Sequence, residues 1–342
     1  MTIATRPVSP VAAALSWHRP LVLLAAAMAV SVSALSCLVG LLVDHRSITN
    51  LPAWDKPFKF SISVGVYALT WAWLIQALRR GQRWAHRAGT VAAVLLGIEM
   101  IIIIGQTARG TTSHFNLSTG FDAAMWTVMG GSIAGVWVAT LVITVMLFAN
   151  PGPDAARNRA VRVGAVLAVV GMALGFLMTI PTQAQVVSGQ GIFGAHTVGR
   201  PDGGPGLPFL GWSTTGGDLR LPHFVGMHAL QAIPLLLIGL ELLGRRIARL
   251  AAPAVRARLI MVAALGYAGL IVLLTWQALR GQSVVAPDRW TTLVLVVLVL
   301  GVTGGVGRVL STAPAGSGAA QQQPDGQDQD SADGHLDEGV AQ

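Results

Sequence analysis

Eight apolar stretches divide this chain, and each is long enough to cross a lipid bilayer. A spanning helix needs about 20 mainly apolar residues, and backbone groups inside the hydrocarbon layer must bond to one another. We therefore predict an all-α integral membrane protein with eight transmembrane helices. The predicted spans are 21–43, 60–79, 89–109, 122–149, 161–185, 223–243, 259–279 and 289–307.

The stretches between and around the spans predict three regions. Residues 1–20 form a short N-terminal segment, and 21–310 form the eight-helix transmembrane domain. The loop 186–222 holds ten glycines and four prolines together with several aromatic residues, so we expect it to pack on the outer face of the bundle. Residues 311–342 are polar and acidic with little to bury, and they predict a disordered tail.

Composition and charge agree with a membrane protein. Of the 342 residues, 53% are hydrophobic and only 11% are charged. The net charge of +8 does not predict a nucleic-acid partner, because the basic residues sit in short loops next to the spans. In the eight-span arrangement fifteen Lys and Arg residues fall on one side and eight on the other. The positive-inside rule then places both termini in the cytoplasm, most simply at the plasma membrane of a bacterium.

A weak internal repeat predicts two four-helix halves. The third span ends in Gln106-Thr107-Ala108-Arg109-Gly110, and the seventh ends in Gln277-Ala278-Leu279-Arg280-Gly281. An even number of spans in each half makes this a parallel repeat. The pairs Gly131 and Gly135, Gly171 and Gly175, and Gly301 and Gly305 have the small-xxx-small spacing that lets helices approach closely.

Glu99 is the first candidate for a functional residue, because it lies near the middle of the third span. An ionisable group there costs about 2.5–3.5 kcal/mol on insertion scales and usually faces a wet cavity or the protein interior. Gln106 lies seven residues further on the same helix face, and Arg109 and His114 follow at its outer mouth. The alternative is that Glu99 is protonated or hydrogen-bonded to a neighbouring helix and only fixes packing.

The sixth span adds His223, His228 and Gln231. The two histidines are five residues apart and lie on different faces, so they do not grip one ion together. His228 and Gln231 are three apart and share a face. Gln277 and Arg280 end the seventh span at the same outer depth, and Thr179, Thr182, Gln183, Gln185 and Asp122 cluster there too. These side chains predict a polar chamber open to the outside, although some of them could be ordinary helix caps.

Three functions remain open. The first is binding or translocation of a small solute or a proton through the chamber, with Glu99 as the deep protonatable group. The second is a redox protein that holds b-type haem or a quinone, in which His228 pairs with His114, His196 or His223. The third is a non-catalytic membrane subunit or sensor. The chain has no Walker loop, no zinc-protease helix and no nucleophile elbow, and Cys37 is its only cysteine. We expect no metal site apart from haem.

The plan of eight helices in two halves resembles that of haem A synthase in architecture. That family places haem-ligating histidines in the helices of both halves, whereas seven of the eight predicted spans here contain no histidine. The resemblance therefore implies a fold and transfers no site residues.

Overall fold

A computed structural model describes residues 18–189 and 191–313 as a helical bundle. Its short strand pairs are β1 (Ser47–Ile48) with β2 (Leu51–Pro52), and β3 (Thr197–Val198) with β4 (Gly217–Asp218), both antiparallel. The helices are α1 (Arg19–Leu42), α2 (Asp55–Gln76), α3 (Gln82–Ala108), α4 (Gly120–Phe148), α5 (Ala155–Leu174), α6 (Gln183–Ser188), α7 (Arg220–Met227), α8 (Ala229–Gly244), α9 (Ala248–Ala251), α10 (Pro253–Leu279) and α11 (Arg289–Ser311).

Seven helices within the described ranges are long and apolar enough to cross a membrane, so the protein is a multi-pass membrane protein. They are α1, α2, α3, α4, α10, α11, and α5 with its 3-10 continuation to Thr179. An eighth span exists if α7 and α8 count as one, but these two helices meet at an angle of 47°. The predicted sixth span, 223–243, covers most of this pair, and the sequence predicts an interruption at Pro234 in its outer half. The break lies six residues earlier, at His228, and Pro234 lies inside α8.

Polar side chains set several helix starts. Thr119 caps α4 by accepting from the backbone N–H of Asp122, and Asp288 caps α11 by accepting from Thr291 N–H. Thr182 and Gln185 form a reciprocal capping box that starts α6. The fifth span therefore ends at Thr179, and the expectation that Gln183 and Gln185 end that span is wrong.

The connections gather at two ends of the bundle. The long-loop end carries residues 43–54, 109–119, 180–189, 191–219 and 280–288, which touch one another. For example, Leu117 N–H donates to Gly191 O at 2.6 Å, and Ser283 Oγ donates to Ser213 O at 3.2 Å. The short-loop end carries residues 77–81, 149–154 and 245–252. There Asn150 Nδ2 donates to Arg80 O at 2.9 Å.

Helix contacts follow the same order in the first four spans and in the last four. Among the first four, α1 packs on α2 and α3, α2 on α3, and α3 on α4. In the last four, α5 packs on the α7–α8 pair and on α10, that pair packs on α10, and α10 packs on α11. The largest buried cluster lies among the first four spans and includes Trp71, Ile75 and Met100.

Only one of the predicted glycine pairs brings two backbones together. A Cβ on Gly171 would collide with the backbone of Gly226 and Met227, so α5 and α7 touch directly. A Cβ on Gly131 or on Gly301 would meet nothing within 4 Å, and one on Gly135 or Gly305 would meet only side chains. Among the predicted pairs, close backbone approach therefore involves Gly171; outside them, Gly164 on α5 also lies against the backbone of Ala229 and Leu230.

Two predicted regions lie mostly outside the described residues. They are the N-terminal segment, of which residues 1–17 are not described, and the acidic tail, of which residues 314–342 are not described.

Candidate functional site

A cavity of ≈ 1940 Å³ runs from the long-loop end into the bundle. Its upper wall consists of loop residues, among them Pro52, Pro201 and Phe209, and its deepest residues on α2 are Tyr67 and Trp71. The α2 lining extends from Lys56 to Trp71, about fifteen steps along the helix, which is roughly 22 Å at the rise of an α-helix. The cavity is therefore deep enough to reach well into the membrane.

One face of α2 forms the polar side of this cavity. Lys56, Phe60, Ser63, Tyr67 and Trp71 all line it, and their spacing of three or four residues places them on one helical stripe. Four of the five carry a hydrogen-bond donor. The Tyr67 hydroxyl meets Thr140 Oγ1 at 2.7 Å, while the Trp71 indole N–H is buried without a partner among the residues described.

The facing wall is apolar. It is formed by α4, from which Trp126, Met129, Ile133, Val136 and Trp137 line the cavity at helical spacing. Trp137 is fixed by an N–H bond to Val169 O at 3.0 Å. The cavity thus has two chemically different sides along its length.

Both lysines of the chain face the upper cavity. Lys56 Nζ lies 3.1 Å from His114 Nδ1. Lys59 Nζ donates to Phe209 O at 2.7 Å and to Leu210 O at 3.3 Å. No ion pair to either lysine is found among the described residues, so both ammonium groups lack a bonded carboxylate.

His114 and His196 stand next to each other at the top of the cavity, with ring centroids 6.3 Å apart. Burial, together with the nearby Lys56, holds the pKa of His114 well below its usual value. Burial also lowers the pKa of His196, although its Nδ1 lies 2.6 Å from Asp202. Burial therefore favours the neutral form of both imidazoles.

Asp202 is tied into the loop by several bonds. It accepts from the backbone N–H groups of His196 and Thr197 and from Thr197 Oγ1. Burial opposes ionisation of Asp202, but these hydrogen bonds and His196 more than offset it and hold the pKa of the carboxyl below its usual range. Its function in the loop is to fix His196.

The broken helix pair supplies two more histidines. His223 Nδ1 donates to Gly171 O at 2.8 Å, which leaves Nε2 free to face the cavity. His228 sits at the break itself. Its Nδ1 lies 3.3 Å from Gln231 Oε1 and its Nε2 lies 3.5 Å from Ser63 Oγ. Gln231 in turn donates to Thr70 Oγ1 at 3.0 Å, so the break is linked to α2.

Glu99 lines the cavity from α3 and is only 5% exposed. Its Oε2 atom is buried and has no hydrogen-bond partner among the residues that the structure describes. A buried polar atom without a partner costs free energy and is rare in folded proteins. Glu99 therefore has the surroundings expected of a group that meets a ligand, a proton or water.

The other four predicted site residues lie elsewhere, at two equivalent helix ends. Arg109 Nη1 bonds to Asp122 at 2.6 Å, and both Gln106 and Arg109 contact this carboxylate. Arg280 Nη2 likewise bonds to Asp288 at 2.5 Å, and Gln277 donates to Ser283 O at 2.9 Å. None of these four side chains lines the cavity. Their contacts join one span to the next.

The structure thus brings together five of the nine predicted residues, namely Glu99, His114, His223, His228 and Gln231. Sequence reasoning missed Tyr67, Asp202 and Arg220. Lys56 and Lys59 were not among the predicted site residues either. The helical spacing of Lys56, Ser63, Tyr67 and Trp71 is visible in the sequence and could have identified the α2 stripe.

The described residues include no group of three or more His, Cys, Asp or Glu side chains arranged to hold a metal ion. Comparisons of the chain with family models, with curated proteins and with solved structures find no match. The function must therefore be argued from the cavity itself.

Proposed function

We propose that this protein binds a solute in an outward-facing chamber, the cavity between α2, α4 and the α7–α8 break, and passes it or a proton toward the membrane interior. The observation that supports this most directly is the unpartnered carboxylate oxygen of Glu99 on the wall of a cavity of ≈ 1940 Å³. Ligand sites are concave, mainly apolar and supplied with a few placed polar groups, as here.

The break at His228 favours translocation over simple binding. Many transporters place their binding sites at discontinuous spanning helices near the bilayer midplane. His228 lies eight residues into the α7–α8 pair, roughly 12 Å along the helix, and its ring lines the cavity. The backbone at such a break is free to change direction when a solute binds.

A two-half architecture fits the same proposal, with four spans in each half. The contacts between helices run in the same order in the first four spans and in the last four. The ends of α3 and α10 are also alike, since Gly110 and Gly281 both have positive φ and Arg109 and Arg280 both pair with an aspartate at the next span. Transporters commonly bind their substrate at the interface between such repeats.

The orientation of the chamber is inferred from charge. The long-loop end carries the smaller number of Lys and Arg residues, so the positive-inside rule puts it outside a bacterial plasma membrane, with both termini in the cytoplasm.

Labelling of single cysteines tests the chamber. Cys37 is the only cysteine, so Cys37→Ser gives a thiol-free background. Ser63 lines the cavity, whereas Ser61, two residues away on α2, is 1% exposed and does not. A membrane-impermeant maleimide added to intact cells should label Ser63→Cys and leave Ser61→Cys unlabelled. Equal protection of both cysteines in intact cells and again after permeabilisation would refute a water-accessible chamber.

A second candidate function is haem binding, because His196 and His223 use Nδ1 for hydrogen bonds and leave Nε2 available at the cavity. An Nδ1 bond to a carboxylate or a carbonyl is the usual orientation of a metal-ligating histidine. In this alternative His196 and His223 are better placed than His228, both of whose ring nitrogens lie near side chains. Reduced-minus-oxidised absorbance bands of b-type haem in the purified protein would establish it.

A further inference from the structure

The size of the chamber restricts its ligand. Cavities for drug-sized molecules are usually about 300–1,000 Å³, so ≈ 1940 Å³ leaves room for a larger, elongated molecule. The chamber is also long, with roughly 22 Å of α2 along its wall. Since α4 offers Trp126, Met129, Ile133 and Val136 along the whole depth, an apolar chain would be in contact with apolar side chains throughout.

The charges are concentrated at the upper end. Two acidic residues line the cavity there. Asp202 already accepts several hydrogen bonds from His196 and Thr197, and Asp55 acts electrostatically on Lys59 without forming an ion pair with it. Arg220 is held by a paired contact to Asp218, at 2.9 and 2.6 Å. Lys56 and Lys59 are different, because neither forms an ion pair with any described residue. Glu99 is close enough to act electrostatically on Lys56 but makes no hydrogen bond to it.

We infer that the chamber binds an amphiphile that carries an anionic head group on an apolar chain. The head group lies against Lys56 and Lys59 at the long-loop end, and the chain extends down the α4 wall beside Met129 and Val136. Each ammonium group has donors left for an anion, and charge-assisted hydrogen bonds of this kind are the strongest available here. This inference rests on the proposed function, since it names the ligand class of the same chamber.

The test uses dodecanoate as the probe and the accessibility of Ser63 as the readout. Cys37→Ser protein with Ser63→Cys, in lipid nanodiscs, is labelled with a water-soluble maleimide at increasing dodecanoate concentrations. We expect dodecanoate to protect Ser63→Cys. Val285 is 52% exposed at the same end and lies outside the cavity, so Val285→Cys should be labelled equally with and without the probe.

Three further probes separate the head group from the chain. Dodecanol and dodecyltrimethylammonium have the same chain without a negative charge, and acetate has the charge without the chain. None of these three probes should protect Ser63→Cys at a concentration at which dodecanoate protects it. Equal protection by dodecanol or by the cation would overturn the inference, because the chamber would then select the chain alone.

Substitution of the lysines tests where the head group lies. Lys56→Gln with Lys59→Gln should shift the dodecanoate midpoint about tenfold upward, as expected for the loss of a charge-assisted contact. Lys56→Arg with Lys59→Arg keeps the charges and should restore protection, which guards against a misfolded variant. Arg289→Gln removes a positive charge at the same end but outside the cavity and should have no effect.

The two proposals fail in different ways. If Ser63→Cys is not labelled even without dodecanoate, the water-accessible chamber is refuted. If Ser63→Cys is labelled but dodecanoate does not protect it, the chamber stands and the anionic amphiphile is refuted.

Discussion

At the scale of single residues, burial of the Glu99 carboxylate costs free energy, and no contact among the described residues offsets that cost. Its oxygen is buried on the cavity wall, and Lys56 acts on it only at a distance. A packing residue would show the opposite arrangement, with its polar atoms bonded to a neighbouring helix. The position of this carboxylate therefore favours a role in binding over a role in holding the fold.

Glu99→Gln separates these two roles. No hydrogen bond is lost and a buried ionisable group is removed, so the melting temperature in detergent should stay the same or rise. If Glu99 fixed helix packing, the variant would melt earlier. Thermal unfolding followed by circular dichroism measures the difference, and Ser63→Cys labelling of the same variant shows whether the chamber remains open.

Asp122 is the residue at which we expect a large loss of stability. It is buried and accepts from Gln106 at 2.8 Å and from Thr119 Oγ1 at 2.7 Å, besides Arg109. Asp122→Ala would leave the Nε2 donor of the buried Gln106 unsatisfied, at a cost of about 1–3 kcal/mol. Arg109 is 44% exposed, so Arg109→Ala should cost about 1 kcal/mol or less. Denaturant unfolding of both variants would contradict this account if Arg109→Ala proved the more damaging.

At the scale of helices, the contact between α5 and α7 depends on the missing side chain of Gly171. Gly171→Ala would push against the backbone of Gly226 and Met227 and displace the carbonyl that His223 bonds. We expect a loss of about 1–3 kcal/mol, as for other overpacked sites. Gly131→Ala enters open space and should be neutral or slightly stabilising. Equal melting temperatures for the two variants would show that the α5–α7 approach is not tight.

The loop 191–218 over the cavity should loosen in acid. His114 lies outside this loop but packs against His196 within it, and the pKa values of both imidazoles are lowered in the folded state. Below about pH 6.5, opening of the loop therefore lets these imidazoles bind protons that they do not hold while the loop is closed. The groups facing His114 are Lys56, His196 and His223, and a charged imidazole would be repelled by Lys56. Asp202 does not cause loosening of the loop in this pH range. The pKa of its carboxyl is lowered in the folded state, so its stabilisation of the loop is lost only in far more acid conditions.

Hydrogen exchange in nanodiscs measures this effect. After correction for intrinsic rates, amides of residues 191–218 should exchange faster at pH 5 than at pH 7, while those of residues 77–81 at the short-loop end should not change. His114→Gln should reduce the response. An acid response of equal size in this variant would assign the titration to another group.

At the scale of the whole molecule, hydropathy is enough to predict the membrane class and nearly all spans, because lipid requires long apolar helices. It did not locate the break at His228, because the only visible interruption of this apolar stretch is Pro234, which lies six residues further on inside α8. It also failed to find Tyr67 and Asp202. Which helix faces meet across a cavity depends on tertiary packing, and nothing local to α2 shows that its stripe faces α4.

The orientation of the molecule is the remaining whole-chain prediction, and it rests on fifteen Lys and Arg residues against eight. In the Cys37→Ser background, Val285→Cys lies at the long-loop end and Ala251→Cys at the short-loop end, and both positions are exposed. An impermeant maleimide should label Val285→Cys in intact cells and Ala251→Cys only after permeabilisation. The opposite result would turn the chamber toward the cytoplasm. Lys56 and Lys59 would then meet cytoplasmic anions, and any transport would begin from that side.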